Sequence, residues 1–299
     1  MNWESEISEF KNYLKLEKGL SDNSIHAYVT DLYKLVQYLR DHGFNDGPEY
    51  VTLAQLKDLM EWVNGRGISP RTQARIISGI KSFYKFLLIE EKVEKDPTAL
   101  LEAPRVGRKL PEILTVEEID TVINAVDTRK PEGQRNKAIL ETLYSCGLRV
   151  SELIDLKISN LFFESGFVKI EGKGNKERLV PISTKAIKEI NLYLGEYRRT
   201  LKIHPSHEDI LFLNRRGKKL SRVMIFTIIK NITKKLNIAK NISPHTFRHS
   251  FATHLIDGGA NLRAVQEMLG HESIITTEIY THLDKEYLKN TITQYHPRT

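Results

Sequence analysis

The feature that most constrains the fold is a regular series of helix-boundary signals near the carboxyl end of the chain. Residues 243–282 read SPHTFRHSFATHLIDGGANLRAVQEMLGHESIITTEIYTH. Ser243 and Pro244 predict the start of a helix, because serine caps free backbone N–H groups and proline fits the first turn. The glycines at 258–259 and at 270 end successive helices, and Asn261 caps the helix between them. The stretch therefore predicts three short helices joined by tight turns.

The same stretch gathers residue types that handle phosphate groups. His245 and Arg248 are three residues apart, so they share one helix face near the positive end of that helix. His271 directly follows the Gly270 turn, and Tyr280 lies on the third predicted helix. Cationic donors, an imidazole and a phenol at adjoining helix ends predict a phosphate-handling site.

Length and charge indicate a two-domain protein with a polyanionic partner. The chain has 299 residues, more than one average domain, and a net charge of +7. Residues 1–104 contain 13 Lys/Arg and 16 Asp/Glu, whereas the remainder contains 32 and 22, so the basic excess accompanies the predicted site. Charge alone does not identify that partner, because many cytosolic proteins with no nucleic-acid role are equally basic.

Cysteine content and hydropathy indicate a cytoplasmic location. Cys146 is the single cysteine, which excludes an intramolecular disulfide and suits a reducing compartment. No apolar run approaches the ~20 residues of a membrane span, and the acidic N-terminus lacks a signal-peptide core. We expect a cytoplasmic, nucleoid-associated protein with no membrane partner.

Residues 1–102 predict an all-helical domain, since four segments have apolar residues at helical spacing. The segment 103–111, APRVGRKLP, has no apolar periodicity and three basic residues, so it predicts an interdomain linker. Five basic residues around the third turn and the fourth helix form either a solvated face or a stripe that follows a DNA backbone. They are Arg66, Arg71, Arg75, Lys81 and Lys85.

Residues 112–299 predict a mixed α/β domain. Short alternating runs at 167–170 and 178–182 flank the turn sequence EGKGNKE and indicate a β-hairpin with Lys173 near its tip. Residues 284–299 form a short amphipathic tail that docks either on its own domain or on a neighbouring molecule. The predicted fold class is mainly α with a small antiparallel β-sheet.

Neither a nucleotide loop nor a metal site is expected. The segment GKGNKER lacks the GxxxxGK[ST] pattern of a phosphate-binding loop. His245 and His249 have metal-ligand spacing on a helix, but the glutamate of HExxH is missing and Arg248 on that helix would repel a cation. We therefore expect no cofactor and no metal, and interpret His249 and His254 as structural residues or as residues of the local helix surface.

Phosphoryl transfer to a tyrosine fits the residues that remain. A pentavalent phosphorus needs its nonbridging charge stabilised, and guanidinium groups do this without giving up a proton. Arg149 and Arg248 would each direct a fork of guanidinium N–H donors at the phosphate oxygens, and His245 would donate a further hydrogen bond. The structural alternative for Arg149 is an ion pair with a nearby glutamate such as Glu152.

Different residues are candidates for the proton donor, the proton acceptor and the nucleophile. Lys173 is the favoured acid for the leaving alkoxide, with Lys176 and Arg178 as rivals on the same hairpin. His271 would orient the nucleophile or accept its proton. Tyr280 is the nucleophile, because a phenol is a good leaving group in the reverse step.

Four ordered segments, GLRVSEL, GKGNKERLVP, SPHTFRHSFATHL and LGHESIITTEIYTH, closely resemble the signatures of the tyrosine recombinases of the phage integrase family. The resemblance is closest to the Xer type of bacterial site-specific recombinase and covers nearly the whole chain. It implies a helical core-binding domain before the linker and a catalytic domain after it. It also assigns six residues to the active site: Arg149, Lys173, His245, Arg248, His271 and the nucleophile Tyr280.

The resemblance further implies a reaction and its partners. These are a covalent 3′-phosphotyrosyl intermediate, a Holliday junction, no ATP or required metal, and a homo- or hetero-tetramer clamped on two double-stranded DNA sites. Resolution of chromosome or plasmid dimers is the leading role, with a DNA translocase as a further partner. Integration or excision of a mobile element, and a non-catalytic architectural DNA-binding protein, are the alternatives.

Overall fold

The computed structural model describes residues 1–104, 107, 112–130, 132–172, 176–270 and 282–298, without the side chains of 282–286. The chain divides into two compact units, Met1–Lys109 and Leu110–Thr299. Helices dominate, and one three-stranded antiparallel sheet accompanies them, which confirms the predicted fold class. Within the described ranges, no helix is both long enough and apolar enough to cross a membrane.

The first unit is built from four helices whose starts agree with local capping signals. They are α1 (Trp3–Leu16), α2 (Asp22–Asp41), α3 (Leu53–Gly65) and α4 (Pro70–Ile89). In each case the residue before the helix accepts a hydrogen bond from a backbone N–H two or three residues further on. These caps are Asn2, Ser21, Thr52 and Ser69.

An aromatic cluster forms the centre of the first unit. Phe83 on α4 is fully buried and meets the Phe10 ring edge-on at a centroid distance of 5.4 Å. The Trp3 ring stacks on Phe83 at 5.9 Å. Tyr84 is buried beside them, and its hydroxyl donates to the Pro48 carbonyl at 2.8 Å, so the phenol carries no unpaired polar atom into the core. Interhelical packing in this unit therefore depends on large rings from α1 and α4.

The second unit surrounds the small sheet with short helices. Its strands are β1 (Leu161–Phe162), β2 (Phe167–Glu171) and β3 (Glu177–Pro181), in the order β1-β2-β3. Its helices are α5 (Val116–Asn124), α6 (Gly133–Cys146), α7 (Val150–Ile154), α8 (Thr184–Gly195), α9 (Arg222–Lys235), α10 (Pro244–Asp257), α11 (Leu262–Leu269) and α12 (His282–Tyr295).

The predicted β-hairpin is present. β2 and β3 pair in an antiparallel register that sets Val168 opposite Val180 and Ile170 opposite Arg178. Beyond the strands, the Gly172 N–H donates to the Lys176 carbonyl at 2.8 Å, so the pairing extends to the base of the turn. The tip at 173–175 lies outside the described residues.

Two details differ from what the sequence predicts. The sequence predicts a helix over about 184–201, but α8 ends at Gly195, where glycine lowers helix propensity, and a short 3-10 turn follows at Arg198–Thr200. The sequence also predicts a strand at 210–213, but these residues form only isolated bridges. The reason is that the Arg198 guanidinium donates to the carbonyls of Ile210 and Leu211 at 3.0 and 3.3 Å. A side chain thus takes the place of a neighbouring strand.

The carboxyl-terminal tail packs on its own unit. Leu288 and Ile292 on α12 are buried in the core of the second unit. The His296 ring is buried against aromatic rings of α6 and α10, and this burial lowers the pKa of His296 to about 3. The Arg298 guanidinium lies 3.3 Å from the buried Glu141 carboxylate. Of the two docking alternatives for the tail, this structure contains the one within the same molecule.

The aromatic cluster predicts a measurable stability effect. Phe83→Ala should lower the unfolding free energy of the first unit by about 3–5 kcal/mol, because it removes buried surface and leaves a cavity. Both tryptophans of the chain, Trp3 and Trp62, belong to this unit, so tryptophan fluorescence in urea reports its unfolding. The control Tyr50→Ala, at a side chain 66% exposed, should change it by less than about 0.5 kcal/mol. Equal effects of the two variants would contradict the assigned core.

Candidate active site

A tight corner between α6 and α7 positions Arg149. α6 ends at Gly147 in the left-handed conformation with φ of 57°, and Arg149 then caps α7. A Cβ atom at Gly147 would lie 2.4 Å from the Phe251 ring of α10, so the close approach of the two helices requires glycine here. The Gly147 carbonyl accepts a hydrogen bond from Arg248 Nη1 at 2.7 Å. This corner therefore brings Arg149 and Arg248 into the same site.

The Glu152 carboxylate lies at the centre of that site and is 4% exposed. It accepts from the backbone N–H of Arg149 at 2.8 Å and from Arg149 Nη1 at 2.9 Å. Arg178 of β3 binds it bidentately, with Nη1 and Nη2 each at 2.9 Å. Arg248 Nη1 lies 4.0 Å away. Three guanidinium groups thus surround one carboxylate.

The charge state of Glu152 follows from these contacts. Burial by itself raises the pKa of the Glu152 carboxyl, but the hydrogen bonds and positive charge of Arg178, together with Arg149, outweigh burial and hold this pKa below its ordinary value of 4.5. The group is therefore a carboxylate at neutral pH, and the cluster carries net positive charge.

The same three arginines bind the carboxyl end of α11. Arg178 Nε donates to the Met268 carbonyl at 2.9 Å. The Leu269 carbonyl accepts from Arg248 Nη2 at 2.7 Å, and Arg149 Nη2 donates to the next carbonyl, that of Gly270, at 3.1 Å. The last carbonyls of a helix lack partners within it and carry partial negative charge. This helix end therefore orients guanidinium groups that come from three other elements.

The two predicted arginines differ in exposure. The Arg248 side chain is 11% exposed and that of Arg149 39%. Burial, and secondarily the nearby charge of Arg149, lowers the pKa of Arg248 to about 10, so this guanidinium is still protonated at neutral pH. Arg149 is the more accessible of the two cations to an incoming anion. Arg149 therefore combines both roles considered for it, since it pairs with Glu152 and remains partly open.

His245 is exposed on the first turn of α10, one turn before the buried Arg248. Ser243 and Thr246 form a capping box that starts this helix, as the sequence predicts. Lys173, His271 and Tyr280 lie outside the described residues. Of the six predicted catalytic residues, the described part of the chain thus brings Arg149 and Arg248 together and carries His245 on the helix of Arg248.

The remaining histidines of α10 have other surroundings. His249 is exposed, whereas His254 Nδ1 lies 2.7 Å from the hydroxyl of buried Tyr144. In the ranges that the structure describes, no group of three or more His, Cys, Asp or Glu side chains is arranged to hold a metal ion. His254 thus has the structural role expected from the sequence.

The basic residues predicted to contact DNA lie in the first unit. The Arg66 guanidinium lies 3.5 Å from the centroid of the Trp62 ring. Arg71 and Lys85 on α4 are exposed, and Lys81 is half-buried. At 100° per residue, the basic positions of α4 fall within about one third of the helix circumference, so they share one side.

Arg75 has a different environment from its neighbours on α4. Its Nη1 atom is 2.6 Å from Asp31 Oδ2 and donates to the Ala27 carbonyl at 3.3 Å. The Asp31 side chain is completely buried and also accepts from Lys34 at 3.0 Å. The charge of Arg75 therefore compensates a buried carboxylate inside the unit.

Arg178 is the residue whose placement the sequence did not indicate. The hairpin sequence suggested it as a rival proton donor, and the structure places its guanidinium against Glu152 and the Met268 carbonyl. The alternation of side chains along β3 could have indicated this placement. Arg178 and Val180 lie on the same face of the strand, and Val180 is fully buried. A charged residue on a core-facing position needs a buried partner of opposite charge.

Comparisons with known proteins agree along nearly the full length. The Phage integrase family matches residues 112–287, and the phage integrase N-terminal SAM-like domain matches residues 7–91. The chain is 42% identical over 292 residues to the tyrosine recombinase XerD of Staphylococcus epidermidis, covering 98% of each chain. It is 42% identical over 295 residues to that of Staphylococcus aureus, covering 99% of each.

Solved structures share the fold. One is the XerH site-specific recombinase bound to a palindromic difH substrate in a post-cleavage complex, 24% identical with a TM-score of 0.69, covering 96% of this chain and 84% of that one. Another is a lambda integrase dimer bound to a COC′ core site, 16% identical with a TM-score of 0.71, covering 93% of this chain and 100% of that one.

The cluster around Glu152 predicts a pH-dependent stability. Glu152→Gln should destabilise the second unit at pH 7 by about 3 kcal/mol, because it leaves buried guanidinium charge without its carboxylate. Since the folded pKa of Glu152 is lowered, the stabilisation is fully present above 4.5 and is lost as pH falls through that lowered pKa. Urea unfolding followed by circular dichroism should therefore show a difference from wild type that shrinks in acid. The control is Glu177→Gln, which removes a carboxylate from the exposed pair with Lys169. A Glu152→Gln destabilisation that did not change with pH would contradict the assignment.

Proposed function

The chain belongs to the tyrosine recombinases of the phage integrase family, enzymes that cleave and rejoin DNA, and we propose that it does so through Tyr280 within the arginine site of its second unit. The observation that carries this proposal is the convergence of Arg149 and Arg248. Arg149 lies directly before α7 and Arg248 lies on α10, and the Arg149 side chain is 39% exposed. A phosphodiester is the anion that two such groups, one of them partly exposed, suit best.

The proposed chemistry balances without ATP. The Tyr280 hydroxyl oxygen attacks the phosphorus, the bond to the 5′ oxygen breaks, and a 3′-phosphotyrosyl linkage forms. Lys173 donates the proton that the leaving 5′ alkoxide needs, and His271 orients the phenol or takes its proton. Attack by a 5′-hydroxyl from another strand reverses these steps and joins new partners.

Arg149, Arg248 and His245 stabilise the charge on the nonbridging oxygens. Because protein contacts orient the two guanidinium groups before DNA binds, these groups need little reorganisation when charge develops in the transition state. We expect loss of either arginine to lower the cleavage rate by about 10²–10³-fold.

Residues 1–102 would act as the core-binding domain and 103–111 as the linker, with 112–299 as the catalytic domain. Exposed basic side chains on α4 support a DNA-facing role for the first unit, and the family likeness supports binding to a double-stranded recombination site. A tetramer on two sites is part of the same proposal; in it the tails 284–299, which pack on their own unit in this structure, would instead dock on neighbouring copies. An enzyme acting on chromosomal DNA would be located in the nucleoid.

Resolution of chromosome or plasmid dimers is the biological role we favour, because the relatives at 42% identity carry the name XerD. Activation by a DNA translocase is a prediction that follows from this role. Integration or excision of a mobile element would use the same chemistry. Footprinting of bound genomic fragments separates the two roles, since it shows whether the recovered site lies in the chromosome proper or at the end of an inserted element.

The nucleophile can be tested directly. Wild-type protein should form a covalent adduct with a nicked duplex carrying the footprinted site, whereas Tyr280→Phe should form none and still bind the duplex. The matched control Tyr287→Phe, at a tail tyrosine 49% exposed, should form the adduct at the wild-type rate. Adduct formation by Tyr280→Phe would refute the assignment. Absence of an adduct from wild type would favour an architectural DNA-binding protein, and relaxation of plasmid lacking the site would indicate a topoisomerase.

The basic side of α4 makes a second prediction. Arg71→Gln and Lys85→Gln should each weaken binding to a short duplex of arbitrary sequence and reduce the slope of log Kd against log salt by about 1. Lys11→Gln, an exposed lysine on α1, is the control and should leave the slope unchanged. An unchanged slope in both test variants would mean that this face is only solvated. Arg75 is not expected to contribute, because its charge already compensates Asp31.

A further inference from the structure

We propose that Arg178 is a positioning residue for strand cleavage, which acts by neutralising and orienting Glu152 so that Arg149 and Arg248 present their charge to the scissile phosphate. The inference rests on the proposed function. It concerns a residue that would not touch DNA and would donate no proton.

The first support is the geometry of the Arg178 side chain. It is 14% exposed, and all three guanidinium nitrogens are engaged by protein oxygens. Two of them hold both oxygens of Glu152 in a fork, an arrangement that fixes the carboxylate plane as well as its position. With each of its guanidinium nitrogens bound to a protein oxygen, Arg178 has the geometry of a support for other residues.

The second support is electrostatic. Glu152 lies within hydrogen-bond distance of Arg149 and 4.0 Å from Arg248, the two cations proposed to bind phosphate. A buried carboxylate at that position would oppose an incoming phosphate and cancel one of the two charges. Because Arg178 supplies a compensating cation, the three arginines and one glutamate keep a net charge of about +2 for the phosphate.

The third support is the link between β3 and the carboxyl end of α11. Arg178 Nε binds the Met268 carbonyl, next to the Leu269 carbonyl that Arg248 binds. A Cβ atom at Gly270 would lie 3.2 Å from the Arg178 guanidinium carbon, so this guanidinium packs directly on the turn that ends α11. Arg178 thus positions two groups that in turn orient Arg149 and Arg248: the carboxylate and the helix end.

The decisive measurement is single-turnover cleavage of the nicked site by Arg178→Gln on three substrates. On the ordinary phosphodiester, the rate should fall by about 10²-fold, with DNA affinity unchanged, since small displacements of catalytic groups have effects of this size. On a methylphosphonate at the scissile position, which carries no negative charge, the deficit should shrink several-fold. On a 5′-bridging phosphorothiolate, whose thiolate leaves without a proton, the full deficit should persist.

Each contrary pattern overturns the inference. Recovery on the phosphorothiolate would make Arg178 the proton donor. An equal deficit on all three substrates would indicate a merely structural role, and an unchanged rate would remove Arg178 from the reaction. The matched control Arg199→Gln, at an exposed arginine, should cleave all three substrates normally.

Two further variants distinguish a positioning role from simple loss of folding in Arg178→Gln. Arg178→Lys keeps the charge but not the fork, and should show the same substrate pattern with a deficit of about 10-fold. The double variant that combines Arg178→Gln and Glu152→Gln lacks the carboxylate that needs neutralising. Its cleavage rate should therefore exceed that of Arg178→Gln alone. A rate below that of Arg178→Gln would contradict the inference. If wild type and Tyr280→Phe both fail to form the adduct, the proposed function fails, whereas a normal wild type with a normal Arg178→Gln refutes only this inference.

Discussion

The second unit depends on one buried carboxylate among three guanidinium groups. Glu152 would be very unfavourable in a closed interior by itself, and the largely buried Arg178 and Arg248 need a partner of opposite charge as well. Together they connect α7, β3 and α10, three elements that share no local sequence. The contacts satisfy both carboxylate oxygens with nitrogen donors at 2.9 Å or less. An electrostatic requirement thereby fixes the relative positions of the helices that carry the reactive residues.

Backbone carbonyls complete this arrangement. The end of α11 presents oxygens from three successive residues to guanidinium groups, at the point where the chain continues towards His271 and Tyr280. Partial negative charge at a helix terminus is weak compared with a phosphate. It is sufficient to orient guanidinium forks that a stronger anion then engages. Arg149, the more exposed arginine at 39%, remains partly accessible to that anion.

The two units use different physical means to reach a stable core. The first packs large rings from α1 and α4 against one another and compensates its buried Asp31 with Arg75 and Lys34. The second packs shorter helices around a small sheet, and its buried carboxylate Glu152 is shared by guanidinium groups from several elements. Its tail is part of that core, because Leu288 and Ile292 are buried with it and Arg298 lies beside Glu141.

The sequence alone determined the helix starts, the hairpin and the residue types of the site. Capping, glycine turns and strand alternation depend on neighbours within a few residues, so Ser243, Gly147 and the β2–β3 register follow from local rules. The ordered motifs around Arg149 and Arg248 also identified the family.

Only the tertiary structure decided which partners those residues meet. Arg178 and Glu152 are 26 residues apart, and Arg149 and the Gly270 carbonyl 121, and no local pattern encodes such pairs. The same holds for residues 210–213, where the distant Arg198 side chain takes the carbonyls that a strand would have used. A charged group or a backbone carbonyl pairs with whichever group the fold places next to it. In a buried site such pairing is required, because an unpaired polar group there costs free energy.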